Sequence, residues 1–413
     1  MDVTEIRRDF PILNQEGKPL VYLDNGATTQ KPQAVIDRLC RYYSMENSNI
    51  HRGSYPLSSQ ASRMYERARE TVRSWVDAEY GEEIVFTKGC TESVNLAAAA
   101  VFETYVCPGD NVIVTELEHS SNYFPWKNQC EKKCAQFRVA LAQTDGSLRA
   151  EDVLDQMDSR TRLIAVTAMS NVTGFCPDVD RIIREAHKRG VLVLIDAAQA
   201  VVHRAISVRQ MKCDFLCFSG HKIYGPMGIG VLYGRRMYLE EMAPYLYGGD
   251  MVVKGDRGEV SYKKSPSKYE AGTQDIAGAL GLEAALLYLN RRGFEEMIQY
   301  EAELGAYLRE RLEAVKGVHV IGEPAVRQPL SGRSEPQPQS GGSVPQPQSA
   351  GSVSPIALFE TDKLGAYDIG VLLANSGIAV RSGSHCAYPL MKRMGKESLC
   401  RVSLSFSQYK AGD

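Results

Sequence analysis

The stretch VLVLIDAAQA, Val191 to Ala200, is apolar at its first five positions and then turns abruptly to an ionisable Asp196. Unalternating apolar runs of this kind suit strands covered on both faces. A carboxylate at the carboxyl end of such a strand falls where open α/β sheets place their ligand crevice, although capping the next helix is the plainer role for the same Asp. Between Glu83 and Tyr233 the pattern repeats: EIVFT, NVIVTE, LIAVTAM, DFLCFS and IGVLY alternate with amphipathic stretches such as DVDRIIREAHKRG, which closes on Gly190. The alternation predicts an α/β fold, a mostly parallel sheet with helices on both faces.

On either side of this region the periodicity is helical. SSQASRMYERARETVRSWV aligns Ala61, Met64, Ala68, Val72 and Trp75 on one stripe, ordinary core material. IAGALGLEAALLYLNRRG and FEEMIQYEAELGAYLRERLEAV read as two helices leading away from the sheet, the second opening a smaller C-terminal domain. The organisation expected is an N-terminal segment (1–20) packing with the small domain, a large domain (21–290) and a small α+β domain (291–413). PQPQSGGSV followed by PQPQSAGSV, Pro336 to Val353, is a tandem repeat of Pro, Gln, Ser and Gly that cannot bury apolar surface. Residues 328–355 are therefore read as a disordered insertion.

With 413 residues, 44% of them hydrophobic, the chain can bury large cores. The formal net charge of −2 comes from charges of both signs spread along the sequence, without the basic stripe that nucleic acid requires. No apolar run reaches membrane-spanning length, and MDVTEIRRDFPIL carries charges where a signal peptide would be apolar, so a cytoplasmic address is expected. The ten Cys are irregularly spaced, which points to reduced thiols. Cys130 with Cys134, and Cys213 with Cys217, would each align on a helix, but no second ligand pair follows either, and packing thiols account for both. No metal site is expected.

DFLCFSGHKIYGP, the strand run after Asp196, also delivers polar groups at its carboxyl end: Ser219, His221 and Lys222 between glycines. A Lys beside an Asp can carry a Schiff base while the carboxylate keeps a pyridinium nitrogen protonated, the arrangement a pyridoxal phosphate enzyme requires. TKGCTESVNLAAAA offers the phosphate a home where Gly89, Cys90 and Thr91 begin a helix. ELEHSSNYFPW places His119 after another strand, where it could lie on an aromatic ring.

The runs YLDNGATTQKP, NIHRGSYPLS, ELEHSSNYFPW, DAAQAVVHRAISV, FSGHKIYGPMGIGVLYG, YEAGTQDIAGALGLEAAL and IAVRSGSHCAYPLM closely resemble the group II (SufS-type) cysteine desulfurases. These belong to the class V aminotransferase group of fold-type I pyridoxal phosphate enzymes. The resemblance spans about Leu13 to Phe406. It implies a seven-stranded-type main sheet, Lys222 as the Schiff-base lysine, Asp196 at the ring nitrogen, His119 stacked on the ring and Gln199 donating to the ring oxygen. It also implies phosphate contacts from Cys90, Thr91, Ser219 and His221, with Gly272 and Thr273 reaching in from the second subunit of a homodimer. Asn171 would sit beside the cofactor, and Arg401, with Arg381 nearby, would bind the substrate carboxylate. Family members often carry Thr where this chain has Cys90, which puts a weak thiol donor in place of a hydroxyl. They also continue from CRVSLSF into a final helix, so uncovered apolar surface is expected on the small domain.

The implied activity is removal of sulfur from L-cysteine, leaving alanine and a persulfide on Cys386. The Gly/Ser loop gives that thiol mobility, and Arg381 and His385 are expected to surround it with positive charge. Its shortness implies a dedicated SufE-like or SufU-like sulfur acceptor within iron–sulfur cluster assembly. A selenocysteine lyase acting on L-selenocysteine, or another lyase of the same fold, is one alternative. A weakly active assembly scaffold is the other.

Overall fold

Leu192–Asp196 and Phe215–Ser219 are buried at every position, and they lie side by side at the centre of the main sheet. The computed structural model describes residues 2–17, 20–255, 260–322 and 354–408. After a short strand β1 (Val21–Tyr22), seven strands build this sheet: β2 (Ile84–Thr87), β3 (Asn111–Thr115), β4 (Gln136–Ala140), β5 (Thr161–Thr167), β6 (Leu192–Asp196), β7 (Phe215–Ser219) and β8 (Gly230–Gly234). Their order is β2-β8-β7-β6-β5-β3-β4. The strands from β7 to β4 run parallel, while β8 is antiparallel to both β2 and β7. The α/β fold with a mostly parallel seven-stranded sheet is thus as expected. Of its strands, only β4 was not read from the sequence: it is a half-exposed edge whose Gln136 and Arg138 mask the apolar pattern.

The order reverses between β3 and β5, the kind of switch point at which open sheets hold ligands. The carboxyl ends of β3, β5, β6 and β7 therefore face one crevice. Beyond the sheet, β9 (Val252–Gly255) and β10 (Val260–Tyr262) pair antiparallel. Five further strands follow: β11 (Val318–Ile321), β12 (Ile356–Thr361), β13 (Ile378–Ala379), β14 (Arg381–Gly383) and β15 (Leu399–Ser403). Four of them form an antiparallel sheet in the order β11-β12-β15-β14, and β13 pairs in parallel with β1.

The helix Pro56–Trp75 starts with Pro in its first turn and buries Ala61, Met64, Ala68, Val72 and Trp75 along one stripe. The helix Ile276–Arg292 does not lead away from the sheet as the sequence suggested. It is buried along most of its length against Pro56–Trp75 and Gln33–Arg41, because its Ala and Gly residues allow close approach on nearly every side. The next helix, Phe294–Glu313, packs on β11 and β12. Near the N-terminus, Phe10 meets Tyr224, Tyr288 and Phe406 edge-on, and the Arg7 Nη1 donates to the Ser407 carbonyl at 3.2 Å.

Most of the 328–355 insertion lies outside the described residues. Its last two positions do not belong to it: Ser354 and Pro355 are buried, and the Ser354 Oγ accepts the Ile356 N–H at 3.1 Å as β12 begins. Cys213 and Cys217 are not on a helix, since Cys217 lies within β7. Cys134 ends its helix in a left-handed conformation rather than continuing from Cys130. On the helix Ala366–Asn375, Tyr367, Val371 and Leu372 are exposed. No helix among the described residues is long and apolar enough to cross a membrane.

Candidate active site

The site is assembled where strands end. β6 delivers Asp196, β7 delivers Ser219, and the tight turn Gly220–Lys222 then sends the half-buried Lys222 side chain into the crevice. Between β2 and the helix Cys90–Tyr105 the chain passes through Gly89 at φ 155°. Gly230 of β8 presses on this turn so closely that a Cβ there would stand 2.4 Å from the Gly89 Cα. The two glycines bring the N-terminal end of a 16-residue helix against the ends of β6 and β7, with the Cys90 N–H donating to the Ser219 Oγ at 2.8 Å. An anion placed there would meet the helix dipole and several N–H and O–H donors.

All the site residues named from the sequence line one cavity of about 270 Å³, apart from Gly272 and Thr273. Thr273 lines a separate cleft with Glu270 and Asp275, so within one chain it does not reach Lys222. Asp196 is buried, with its Oδ1 fixed by the Ala198 N–H at 2.9 Å. The Thr91 and Ser121 hydroxyls are 2.7 Å apart, and the Ser121 N–H donates to the His119 Nδ1 at 3.2 Å. His119 Nδ1 is therefore an acceptor, and its Nε2 carries the proton. The Gln199 Nε2 donates to the Gly26 carbonyl at 2.7 Å, which leaves one of its N–H groups for another partner. The Cys90 thiol does not stand in for a phosphate hydroxyl: it faces Asp196 Oδ1 at 3.5 Å and Cys217 Sγ at 3.4 Å.

Burial sets the charge states. It lowers the Lys222 pKa, with Asp196 pulling the other way, which makes the free amine more accessible than on an ordinary lysine. Burial, reinforced by the Lys222 charge, pushes His119 and His221 each down to about 4. His385 is also pushed down to about 4, by burial and then by Arg401. This corrects the sequence expectation: His385 is neutral at physiological pH and adds no positive charge beside Cys386.

Substrate-facing charge comes instead from two guanidiniums that share one carboxylate. Arg381 grips Asp24 through its Nε and Nη2, while the buried Arg401 gives its Nη2 to Asp24 at 3.1 Å and its Nη1 to the Asn171 carbonyl at 2.7 Å. One positive charge is left over at the cavity wall. Arg401 Nε and the Nδ1 atoms of His221 and His385 are buried without a hydrogen-bond partner among the described residues, polar atoms facing a site built for a polar ligand.

Cys386 is exposed at the mouth of the same cavity. His385 and Cys386 both have positive φ (53° and 56°). The Cys386 carbonyl anchors the loop by accepting the Ser120 N–H and Oγ–H, each at 2.8 Å. The Asn171 side chain holds the other flank, donating to the His385 carbonyl at 2.8 Å. Asp24, Ser120 and Ser121 were not singled out in the sequence, and Cys217 was considered only as a pair with Cys213. Asp24 lies in the quoted run YLDNGATTQKP, and Ser120 and Ser121 directly follow His119, so position in the motifs was the available signal. Cys217 gave none.

These residues fit pyridoxal phosphate. A half-buried Lys222 stands with a buried Asp196, and a helix N-terminus with Ser219 and the His221 Nδ1, which has no partner among the described residues, provides an anion cradle. The family model "Aminotransferase class-V" matches residues 21–332 and 341–412. The chain belongs to the aminotransferase class-V family. Among curated members, the cysteine desulfurase of Pectobacterium atrosepticum is 41% identical over 406 residues, covering 98% of this chain and 93% of that protein. A probable cysteine desulfurase of Staphylococcus aureus is 39% identical over 404 residues, covering 97% of this chain and 92% of that protein. Among solved members, the cysteine desulfurase CsdA of Escherichia coli superposes with a TM-score of 0.86 at 33% identity, covering 100% of this chain and 95% of its own. The apo cysteine desulfurase of Thermococcus onnurineus gives 0.87 at 30% identity, with 98% and 94% covered.

Proposed function

We propose that this chain is a cysteine desulfurase that uses pyridoxal phosphate to convert L-cysteine to L-alanine, leaving the sulfur as a persulfide on Cys386. The observation that carries this reading is the shared cavity: a half-buried lysine and an exposed, anchored cysteine open onto the same space beside one uncompensated guanidinium charge. Lys222 would hold the cofactor, with Asp196 at its ring nitrogen, His119 against its ring and the remaining Gln199 N–H toward its ring oxygen. Thr91, Ser219, His221 and the amides around Cys90 would hold its phosphate. When bound, it supplies an electron sink for negative charge at the substrate α-carbon.

The chain's own groups do the rest. Arg401 receives the substrate carboxylate, with Asn171 and Asp24 fixing its plane. The Lys222 amine, whose pKa burial lowers, takes the proton at the α-carbon. The Cys386 thiolate attacks the substrate sulfur; a sulfur–sulfur bond forms as the carbon–sulfur bond breaks, and the electron pair left on carbon takes up a proton to become the alanine methyl group. Neutral imidazoles at His119 and His385 add no positive charge of their own to the cavity.

A homodimer supplying Gly272 and Thr273 to the partner's phosphate, a cytoplasmic address and delivery of sulfur to a SufE-like or SufU-like acceptor for iron–sulfur clusters belong to the same reading. The test is alanine formation from L-cysteine, with L-selenocysteine in parallel, by wild type and Cys386→Ser. The variant should keep the cofactor's visible absorbance and lose alanine formation from cysteine. Full cysteine turnover by the variant would overturn the reading.

A further inference from the structure

We propose that Cys90, Cys217 and Asp196 form a binding site for a thiophilic divalent cation of the zinc class, filled when the cofactor is absent and closed when it is present. In the sequence, the candidate partner of Cys217 is Cys213. The fold gives it a different one, since β7 and the start of the helix Cys90–Tyr105 meet beneath the cavity floor and place the two sulfurs 3.4 Å apart. Asp196 Oδ1 is 3.5 Å from the Cys90 Sγ, and the three potential ligand atoms lie within 4.8 Å of one another.

Those spacings are close to the edges of a metal tetrahedron. Zinc–sulfur bonds of about 2.3 Å and zinc–oxygen bonds of about 2.0 Å at tetrahedral angles put two sulfurs about 3.8 Å apart and sulfur and oxygen about 3.5 Å apart. The two edges that meet at the Cys90 sulfur are within a few tenths of an ångström of the bound values, and the third closes by a small movement of the Asp196 carboxylate. The ligands are also fixed by the fold: Asp196 and Cys217 are register partners on adjacent strands, and the Cys90 backbone is tied to Ser219. Cys90 and Asp196 line the cavity, so a cation can enter from it and complete its coordination with water. Two sulfurs and one carboxylate select zinc, cadmium or cobalt over magnesium and calcium, which prefer all-oxygen shells.

Metal binding replaces the two thiol protons and occupies the Asp196 oxygen. If Asp196 partners the cofactor's ring nitrogen, as proposed above, cation and cofactor exclude one another. The exclusion rests on that reading, whereas metal uptake does not. Thiophilic metal would then act on the cofactor-free chain and hold it out of service.

The test uses the full-length chain with Cys386→Ser, so that the thiol at the cavity mouth contributes nothing, with and without its cofactor. Cobalt(II) is the probe, read by thiolate-to-cobalt charge transfer and tetrahedral visible bands. The expected result is one cobalt per cofactor-free chain, lost in Cys90→Thr and in Cys217→Ala, and absent from the cofactor-loaded protein. Circular dichroism confirms that each variant is folded, and either one alone is sufficient. Absence of the bands from the cofactor-free protein, or their survival in both variants, overturns the site and leaves the assignment of Asp196 to the cofactor untouched. Uptake that is unchanged by bound cofactor overturns the exclusion and counts against that assignment.

Discussion

His385 offers a quantitative check on the electrostatics around Cys386. Its Nε2 donates to the Leu399 carbonyl at 3.1 Å, and its Nδ1 is buried with no partner among the described residues. Protonation would place an unpartnered N–H inside the protein, close to the Arg401 charge. Burial first and Arg401 second hold the group at about 4, below the ordinary 6.5. The folded pKa is depressed relative to the unfolded chain, so between about pH 6.5 and 4 the unfolded state binds a proton that the native state does not. The stability this group contributes is complete above 6.5 and is lost as the pH falls through that window. Integrated from pH 7 to about pH 4.5, the loss is about 2 kcal/mol. In His385→Gln the amide can keep the bond to Leu399 without titrating, so the urea midpoint of the variant should fall less over the same range. Parallel pH dependences for wild type and variant, or an NMR titration of His385 near 6.5, would refute the depressed pKa of His385.

The Arg401→Lys variant should raise the KM for cysteine by roughly 10- to 100-fold, since losing one or two charge-assisted contacts costs about 1.5–3 kcal/mol; the cofactor spectrum is expected to stay unchanged, and an unaltered KM would count against a carboxylate role. Ser120→Ala removes one of the two bonds to the Cys386 carbonyl, so alanine formation should slow by at most about tenfold, in line with about 1 kcal/mol for a single hydrogen bond, while cofactor binding is unaffected. Gly230→Ala forces a methyl group into the Gly89 backbone and should destabilise the chain by about 1–3 kcal/mol and weaken cofactor retention together, both measurable in one thermal and spectroscopic titration.

The sequence revealed the parts of this molecule governed by short-range pattern. Continuous apolar runs identified every interior strand of the main sheet, and Asp196 and Lys222 were legible because each closes such a run. β4 escaped notice because an edge strand alternates with solvent-facing Gln136 and Arg138. The helix Ile276–Arg292 was misplaced because a helix apolar on all sides gives no indication of what covers it. Within the site, Cys386 stood out by its loop. Its surroundings could not be read, because the charge of His385 depends on burial and on Arg401, set by tertiary packing. Asp24 and Cys217 were silent for a related reason: each gains meaning from a partner far along the chain, Arg401 and Arg381 for one, Cys90 for the other.

The central claim is that sulfur passes from cysteine to Cys386 in the cavity that holds Lys222. Mass mapping of the purified enzyme after one turnover with L-cysteine, without reductant or acceptor, tests it directly. The account predicts one added sulfur atom on the peptide containing Cys386, matched one-to-one by alanine released. Alanine formed without that adduct, or the added sulfur found on another cysteine, would contradict it.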